Sequence, residues 1–192
     1  MSRQRLSDHL ATRRLVLRPL RPADADAIDT LCVHDFEVLR WMTSLPWPPE
    51  DGATEGFIAA ATDQDPVGGE AAFAVTLGGV LIGLVSITAP GDLAEHPDCP
   101  TLGYWIGRPF QGFGYAGEAA VAALDWAFAA HGCEAVAARA FADNAASRKV
   151  LARLGFRETG RTMRRSRALG REVENVVLRL ERNERQLAEA AQ

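Results

Sequence analysis

Gly112, Gly114 and Gly117 follow an apolar run ending at Ile106 and lead into an alanine-rich stretch, and their spacing is the densest chemical signal in the chain. A glycine lacks Cβ, so its backbone reaches positive φ and its N–H groups approach an anion closely. Where such a turn opens a helix, the unclaimed first-turn amides and the positive end of the dipole face one point. The spacing predicts a main-chain site for a phosphorylated ligand. A strand later come Asn144 and Ser147, spaced as an N-cap and a first-turn residue. A hydroxyl and an amide held there face whatever lies beyond that second helix start.

Taken literally, Gly112-x-Gly114-x-x-Gly117 also fits a dinucleotide fingerprint, with Asp143 as its ribose acid. In that fold the first glycine abuts the strand that opens the domain. Here Gly107-Arg108-Pro109-Phe110-Gln111 intervenes and about a hundred residues precede it. A Walker-type loop is excluded, because no Gly-Lys-Ser/Thr triplet follows the glycines. Cys32, Cys99 and Cys133 form no C-x-x-C pair, so they read as buried thiols. His34 and His131 have no ligand-spaced partner, and no metal is expected.

The elements that must position these groups come from an ordinary globular composition. The 192 residues are 47% hydrophobic and 24% charged, enough for one domain with a real core. Basic and acidic side chains number 21 and 25, a net charge of −4, which argues against a nucleic-acid partner. Met1 to His9 is polar, and no apolar stretch nears the roughly 18 residues of a spanning helix. No membrane partner and a cytoplasmic location are expected.

Leu15 to Leu20 reads as a strand, followed by a helix opened by Pro22. The Trp41 to Pro49 segment, with two tryptophans and three prolines, is too stiff and apolar for a linker and reads as an ordered wall. Residues 72–77 and 80–88 flank Gly78-Gly79 as a hairpin. Thr101 to Ile106 is a strand. The helix after the glycines carries Val121, Leu124 and Phe128 on one face and ends at His131-Gly132. Ala135 to Phe141 is a strand, and Asn144 to Leu154 a helix stopped by Gly155-Phe156. Residues 157–166 and 172–180 form a last hairpin. The expected organisation is an N-terminal extension, 1–11, a mixed α/β domain, 12–180, and a charged, solvated tail, 181–192.

Gln111-Gly112-Phe113-Gly114-Tyr115-Ala116 resembles the Q/R-x-x-G-x-G/A signature of the GNAT N-acetyltransferase superfamily. Asn144-x-x-Ser147 followed by Leu151-x-x-Leu154-Gly155-Phe156 resembles the family's next motif. Leu15 to Leu20, the Trp41 to Pro49 loop, Leu102 to Gly107 and the last hairpin are similar to the RimJ/RimL branch, ribosomal-protein N-terminal alanine acetyltransferases. The resemblance spans roughly residues 12–180. It implies an α/β fold with a mixed, mostly antiparallel sheet flanked by helices, and acetyl-CoA as cosubstrate.

The resemblance also implies roles. Gln111, Gly112, Gly114 and Ala116 take the family's diphosphate positions, with Phe113, Tyr115 and Gly117 completing the turn. Pantetheine enters a gap between central strands, where the amide near Ile106 polarises the thioester carbonyl as an oxyanion-hole equivalent. Asn144 contacts pantetheine or the acetyl end, and Arg148 and Lys149 attend the nucleotide end. The chain departs from two family patterns: Thr101 stands where many relatives have a glutamate, and Leu151 where many have a tyrosine acid. Ser147 is then the candidate proton donor, with Glu95, His96 and Asp98 as candidate bases.

A site without a strong base suits an α-amine. Freeing that amine at pH 7, from a pKa near 7.7–8.0, costs about 1–1.4 kcal/mol, against roughly 4.6 for lysine. The acceptor expected is a protein N-terminus, with a small-molecule amine as the near alternative. Two other classes stay open at this level: a catalytically silent acyl-CoA-binding module and a dinucleotide oxidoreductase. The exposed ends and last hairpin leave room for a homodimer.

Overall fold

The computed structural model describes residues 9–185. Its strands are β1 (Leu10–Ala11), β2 (Leu15–Pro19), β3 (Glu70–Leu77), β4 (Val80–Thr88), β5 (Thr101–Ile106), β6 (Ala135–Phe141), β7 (Arg157–Ser166) and β8 (Arg171–Glu181). They form one sheet in the order β1-β2-β3-β4-β5-β6-β8-β7. Each neighbouring pair is antiparallel except β5 and β6. A sheet with a single parallel pair excludes the doubly wound dinucleotide fold, whose sheet is mostly parallel. The sheet begins at Leu10, two residues before the expected domain start, and residues 1–8 and 186–192 lie outside those described.

Gly78 and Gly79, at φ 57° and 87°, make the tight turn that joins β3 to β4. The register between these strands shifts at Val75/Thr76, leaving Ile82 as an extra residue on β4. Such a bulge increases local twist. The parallel pair requires a crossover, supplied by helix α4 (Tyr115–His131). Its buried face is Ala119, Ala120, Ala123, Leu124, Ala127 and Phe128, with Val121 only partly buried. Alanines let α4 settle close onto Phe73, Val85, Leu102 and Val136. Gly132, at φ 60°, ends it as expected.

The opposite face of β3 and β4 is covered by α1 (Ala25–Ile28) and α3 (Ala53–Asp63), which meet Leu20, Ala72, Ala74, Leu81 and Leu84. A short helix, α2 (Phe36–Leu39), lies between them in sequence. The expected helix at Pro22 opens as a 3-10 turn. Asp24 accepts from the Arg21 N–H at 2.8 Å and pairs with Arg18 at 2.7 Å. On the same side, Leu93 and Cys99 from the 89–100 loop pack on Ala135, Ala137 and Val177.

The Trp41 to Pro49 segment is the ordered wall its composition predicts. Trp41 meets Phe141 edge-on at 5.7 Å, and Arg167 in the β7–β8 turn donates from its backbone to Thr43 and from its side chain to Ser44. The chain after Glu181 differs from the expected solvated face. Arg182 donates to the carbonyls of Cys133 and Phe128 at 2.8 and 2.6 Å, and buried Arg185 pairs with Asp125 at 2.8 Å. The last carbonyls of α4 have no intrahelical donors; Arg182 supplies one to Phe128 and another to Cys133 just past the helix end.

Candidate active site

Beyond Ile106 the chain makes a 3-10 turn, Arg108–Phe110, and then Gln111 in extended conformation. The Gln111 side chain folds back and donates to the Ile106 carbonyl at 2.7 Å, tying the turn to the end of β5. Gly112 and Gly114 follow at φ 85° and 82°, a region where a side chain is strained. The Glu118 N–H is the first to bond within the helix, to the Gly114 carbonyl at 3.1 Å. The amides of Tyr115, Ala116 and Gly117 therefore face out of the helix start. A Cβ at Gly112 or Gly117 would meet nothing within 4 Å, so no other described side chain or backbone crowds the turn at these two positions.

Glu118 stands in this first turn, where a bare carboxylate would repel an anion. It is neutralised. Thr12 Oγ1 and the Arg14 N–H donate to one of its oxygens at 2.6 and 2.7 Å, and Arg14 Nε to the other at 2.7 Å. Burial works against its charge, but these hydrogen bonds and the Arg14 cation outweigh it and hold the carboxyl below the usual range. Arg14 also lies over the Tyr115 ring at 4.5 Å, and its Nη2 is 3.7 Å from where a Gly114 Cβ would be. Arg14 lies 104 positions from Glu118 in the chain, too far for any local pattern to pair them.

The second feature is an opening in the sheet. β5 and β6 pair only at Thr101↔Ala137 and Leu102↔Ala138. Each then stays with its outer partner: β5 follows β4 through Ile106, and β6 follows β8 through Phe141. The Gly107 N–H bonds the Ile82 carbonyl at 2.9 Å. By the alternation of an antiparallel ladder, the main-chain groups of Tyr104 and Ile106 then point away from β4, into the gap. The Ile106 carbonyl is taken by Gln111; its N–H faces the opening.

Helix α5 (Ala145–Arg153) starts at the far side of that gap. Asn144 is its N-cap, its side chain accepting from the Ser147 N–H at 3.1 Å. The Ser147 hydroxyl meets the Tyr104 hydroxyl at 2.9 Å. Burial pushes the Tyr104 phenol up to about 12, although the bond to Ser147 opposes this. Pleating places Leu102, Tyr104 and Ile106 toward α4, and Thr101, Gly103 and Trp105 on the opposite face with Ala137, Arg139 and Phe141.

The remaining expected residues divide. Arg148 donates to the Ala142 carbonyl at 3.0 Å and meets Glu158 at 3.5 Å, so it braces the loop before α5. Lys149 is exposed. Phe113 is exposed and tilts against Tyr115 at 5.9 Å. Leu151 is core. His96 bonds Thr159 at 2.7 Å, and Glu95 bonds Thr162, which turns both toward β7, two strands beyond the gap. Glu95 is held below its usual range by its own backbone amide first, then by Thr162 and two arginines, which weakens it as a base.

The face away from α4 carries two buried polar atoms, one on Thr101 and one on Arg139, a residue with no local signal in the sequence. Thr101 Oγ1 is buried without a hydrogen-bond partner among the described residues, as is Nη1 of Arg139. Asp92 lies 3.7 Å from that guanidinium, yet burial lowers the Arg139 pKa. Beyond them, Ala142, Asp143, Arg171, Val173 and Glu174 line an open cleft of about 240 Å³. Among the described residues there is no group of three or more metal-ligating side chains. No described helix is long and apolar enough to cross a membrane.

Residues 14–157 match the model of the Acetyltransferase (GNAT) domain, and the chain belongs to the GNAT acetyltransferase family. No curated protein matches it significantly. Among solved structures it is similar to Mycobacterium smegmatis RimJ in complex with CoA-disulfide, with a TM-score of 0.79 and 24% identity over 96% of this chain and 95% of that one. It is also similar to RimL, the ribosomal L7/L12 alpha-N-protein acetyltransferase, in complex with coenzyme A, with a TM-score of 0.75 and 18% identity over 91% and 98%. A third, the microcin C7 self-immunity acetyltransferase MccE with acetyl-CoA and AMP, has a TM-score of 0.71 and 16% identity over 88% and 93%. At these identities the likeness is one of fold.

Proposed function

We propose that the chain transfers an acetyl group from acetyl-CoA to a primary amine, foremost a protein N-terminal α-amine, in the manner of the RimJ/RimL branch and in the cytoplasm. The observation that carries this reading is the opening between β5 and β6 beside a glycine turn with outward amides. The residues fit the donor. The amides over Gln111 to Gly117, Phe113 and Tyr115 included, hold the diphosphate, and Arg14 adds a cation beside them. Tyr104 and Ile106 offer main-chain groups to pantetheine along the gap as a strand would.

The Ile106 N–H then points at the thioester carbonyl and stabilises the oxyanion that forms when the amine attacks. Asn144 holds Ser147 at the gap, and Ser147 faces the departing sulfur. The amine enters from the Thr101 and Arg139 face. A partly desolvated cation there disfavours a second positive charge and lowers the pKa of an incoming ammonium. This suits an acceptor whose pKa already lies near neutrality and explains how the site works without a glutamate at position 101.

Thiol release from acetyl-CoA, measured with peptides bearing free N-termini, free lysine and small amines, tests the reading. Turnover with the peptides, faster than with lysine, is expected. Tight coenzyme binding without thiol release from any amine would establish the silent module instead.

A further inference from the structure

Tyr104 and Ser147 meet across the gap from different elements, one on β5 and one in the first turn of α5. The tyrosine hydroxyl lies 2.9 Å from Ser147 Oγ and 3.2 Å from the Ser147 carbonyl oxygen. The serine N–H is already held by Asn144 at 3.1 Å. A phenol has one proton to give. Given to the carbonyl, it leaves the serine proton pointing back at the phenol oxygen. Given to Oγ, it leaves the serine proton free to turn into the gap. The second arrangement orphans nothing, because the Ser147 carbonyl keeps its helical bond from the Leu151 N–H.

We propose that Tyr104 is a positioning residue for the acyl transfer: by donating to Ser147 Oγ it aims the serine proton at the sulfur that leaves. The inference rests on the acetyl-transfer reading above. As the tetrahedral adduct collapses, the C–S bond breaks, its electron pair stays on sulfur, and the Ser147 O–H donates a hydrogen bond to that thiolate. The surplus proton of the amine passes to water. No proton leaves Tyr104, and its burial keeps the phenol in its donor form across neutral pH. The pair stands in for the tyrosine acid that many relatives carry where this chain has the core residue Leu151.

The test compares Tyr104→Phe, Ser147→Ala and the double variant for kcat, for acetyl-CoA KM and for coenzyme A affinity. Tyr104→Phe keeps the ring and is expected to lower kcat about tenfold, the worth of one hydrogen bond, with KM and affinity within about twofold. Because the hydroxyl acts through Ser147, the double variant should be no slower than Ser147→Ala. Additive losses, or a loss confined to KM, would overturn the proposal, as would an unchanged Tyr104→Phe.

Difluorotyrosine at position 104 covers a phenylalanine variant that fails to fold. It keeps the shape, lowers the phenol pKa and should introduce an alkaline fall in kcat that the native chain lacks; an unaltered pH profile also overturns the proposal. Failure of the native chain to acetylate any amine would overturn the acetyl-transfer reading itself and this inference with it, an outcome distinct from a native enzyme indifferent to position 104.

Discussion

Replacing Gly114 by alanine separates main-chain binding from side-chain binding, with Gly117→Ala as its control. Gly114 is the residue before α4, at φ 82° and ψ 6°. A Cβ there meets only Arg14 Nη2, at 3.7 Å, so the penalty is conformational rather than steric, about 1–2 kcal/mol for a side chain in the left-handed region. At about 2–4 °C per kcal/mol for a domain of this size, Tm should fall by roughly 2–8 °C. The turn relieves that strain by rotating its peptide planes, which moves the amides of residues 114–116 off the anion. A rise in the Kd of coenzyme A of about tenfold corresponds to 1.4 kcal/mol lost there. Gly117 lies inside the helix with open space around it. Alanine there gains up to about 1 kcal/mol of helix propensity and leaves the amides where they are. Thermal scans without ligand, paired with calorimetric titration of coenzyme A, check both halves. Equal Tm values and equal affinities in the two variants would refute the argument that the backbone at residue 114 builds the site.

Glu118→Gln should destabilise the chain by about 1–3 kcal/mol at pH 7, the cost of disturbing a partly buried, charged hydrogen-bond set. Because the folded carboxyl lies below its ordinary 4.5, that contribution is complete above this value and is lost as the pH falls through the folded one. Urea titrations of both proteins should therefore converge on acidification, and a constant difference down to acid pH would count against the pairing. Arg14→Gln removes the cation beside Gly114 and should raise acetyl-CoA KM about tenfold, an effect of roughly 1.4 kcal/mol, with kcat little changed; a fall in kcat alone would place Arg14 elsewhere in the reaction. Gly83→Ala puts a Cβ against the Trp105 carbonyl and 3.0 Å from the Ile106 Cα. It should cost about 1–3 kcal/mol of stability and lower kcat by displacing the Ile106 amide, and an unimpaired variant would show that this amide is not used.

Most elements were legible because they carry local signals. Gly78-Gly79 at the hairpin, His131-Gly132 at the end of α4, and Asn144 capping Ser147 each act through neighbours a few residues apart, and β6 runs over the residues its sequence marks. The glycine turn was legible for the same reason, since positive φ at Gly112 and Gly114 is a property of single residues. β1 was missed because a strand of two residues, Leu10–Ala11, has no periodicity to read. Val121 was placed too deep because alanines, which carry little hydrophobic signal, bury most of that helix face. Arg182 and Arg185 read as a solvated run because the carbonyls and carboxylate they meet lie on α4 or just past its end, more than forty positions earlier.

The sequence by itself determined which local conformations exist: a turn only glycines can make, a helix start that leaves amides outward, a hydroxyl beside a cap. Tertiary structure alone decided that β5 and β6 part after Leu102 and Ala138, that Gln111 closes the Ile106 carbonyl and leaves its N–H in the gap, and that Tyr104 reaches Ser147. It also decided that Glu118 is cancelled by Arg14 beside the very turn it would spoil. The physical reason is range. A φ angle or a cap is set by covalent geometry within a few residues. The divergence of two strands is set by which outer neighbour each keeps, β4 on one side and β8 on the other, a choice that no pattern within β5 or β6 records.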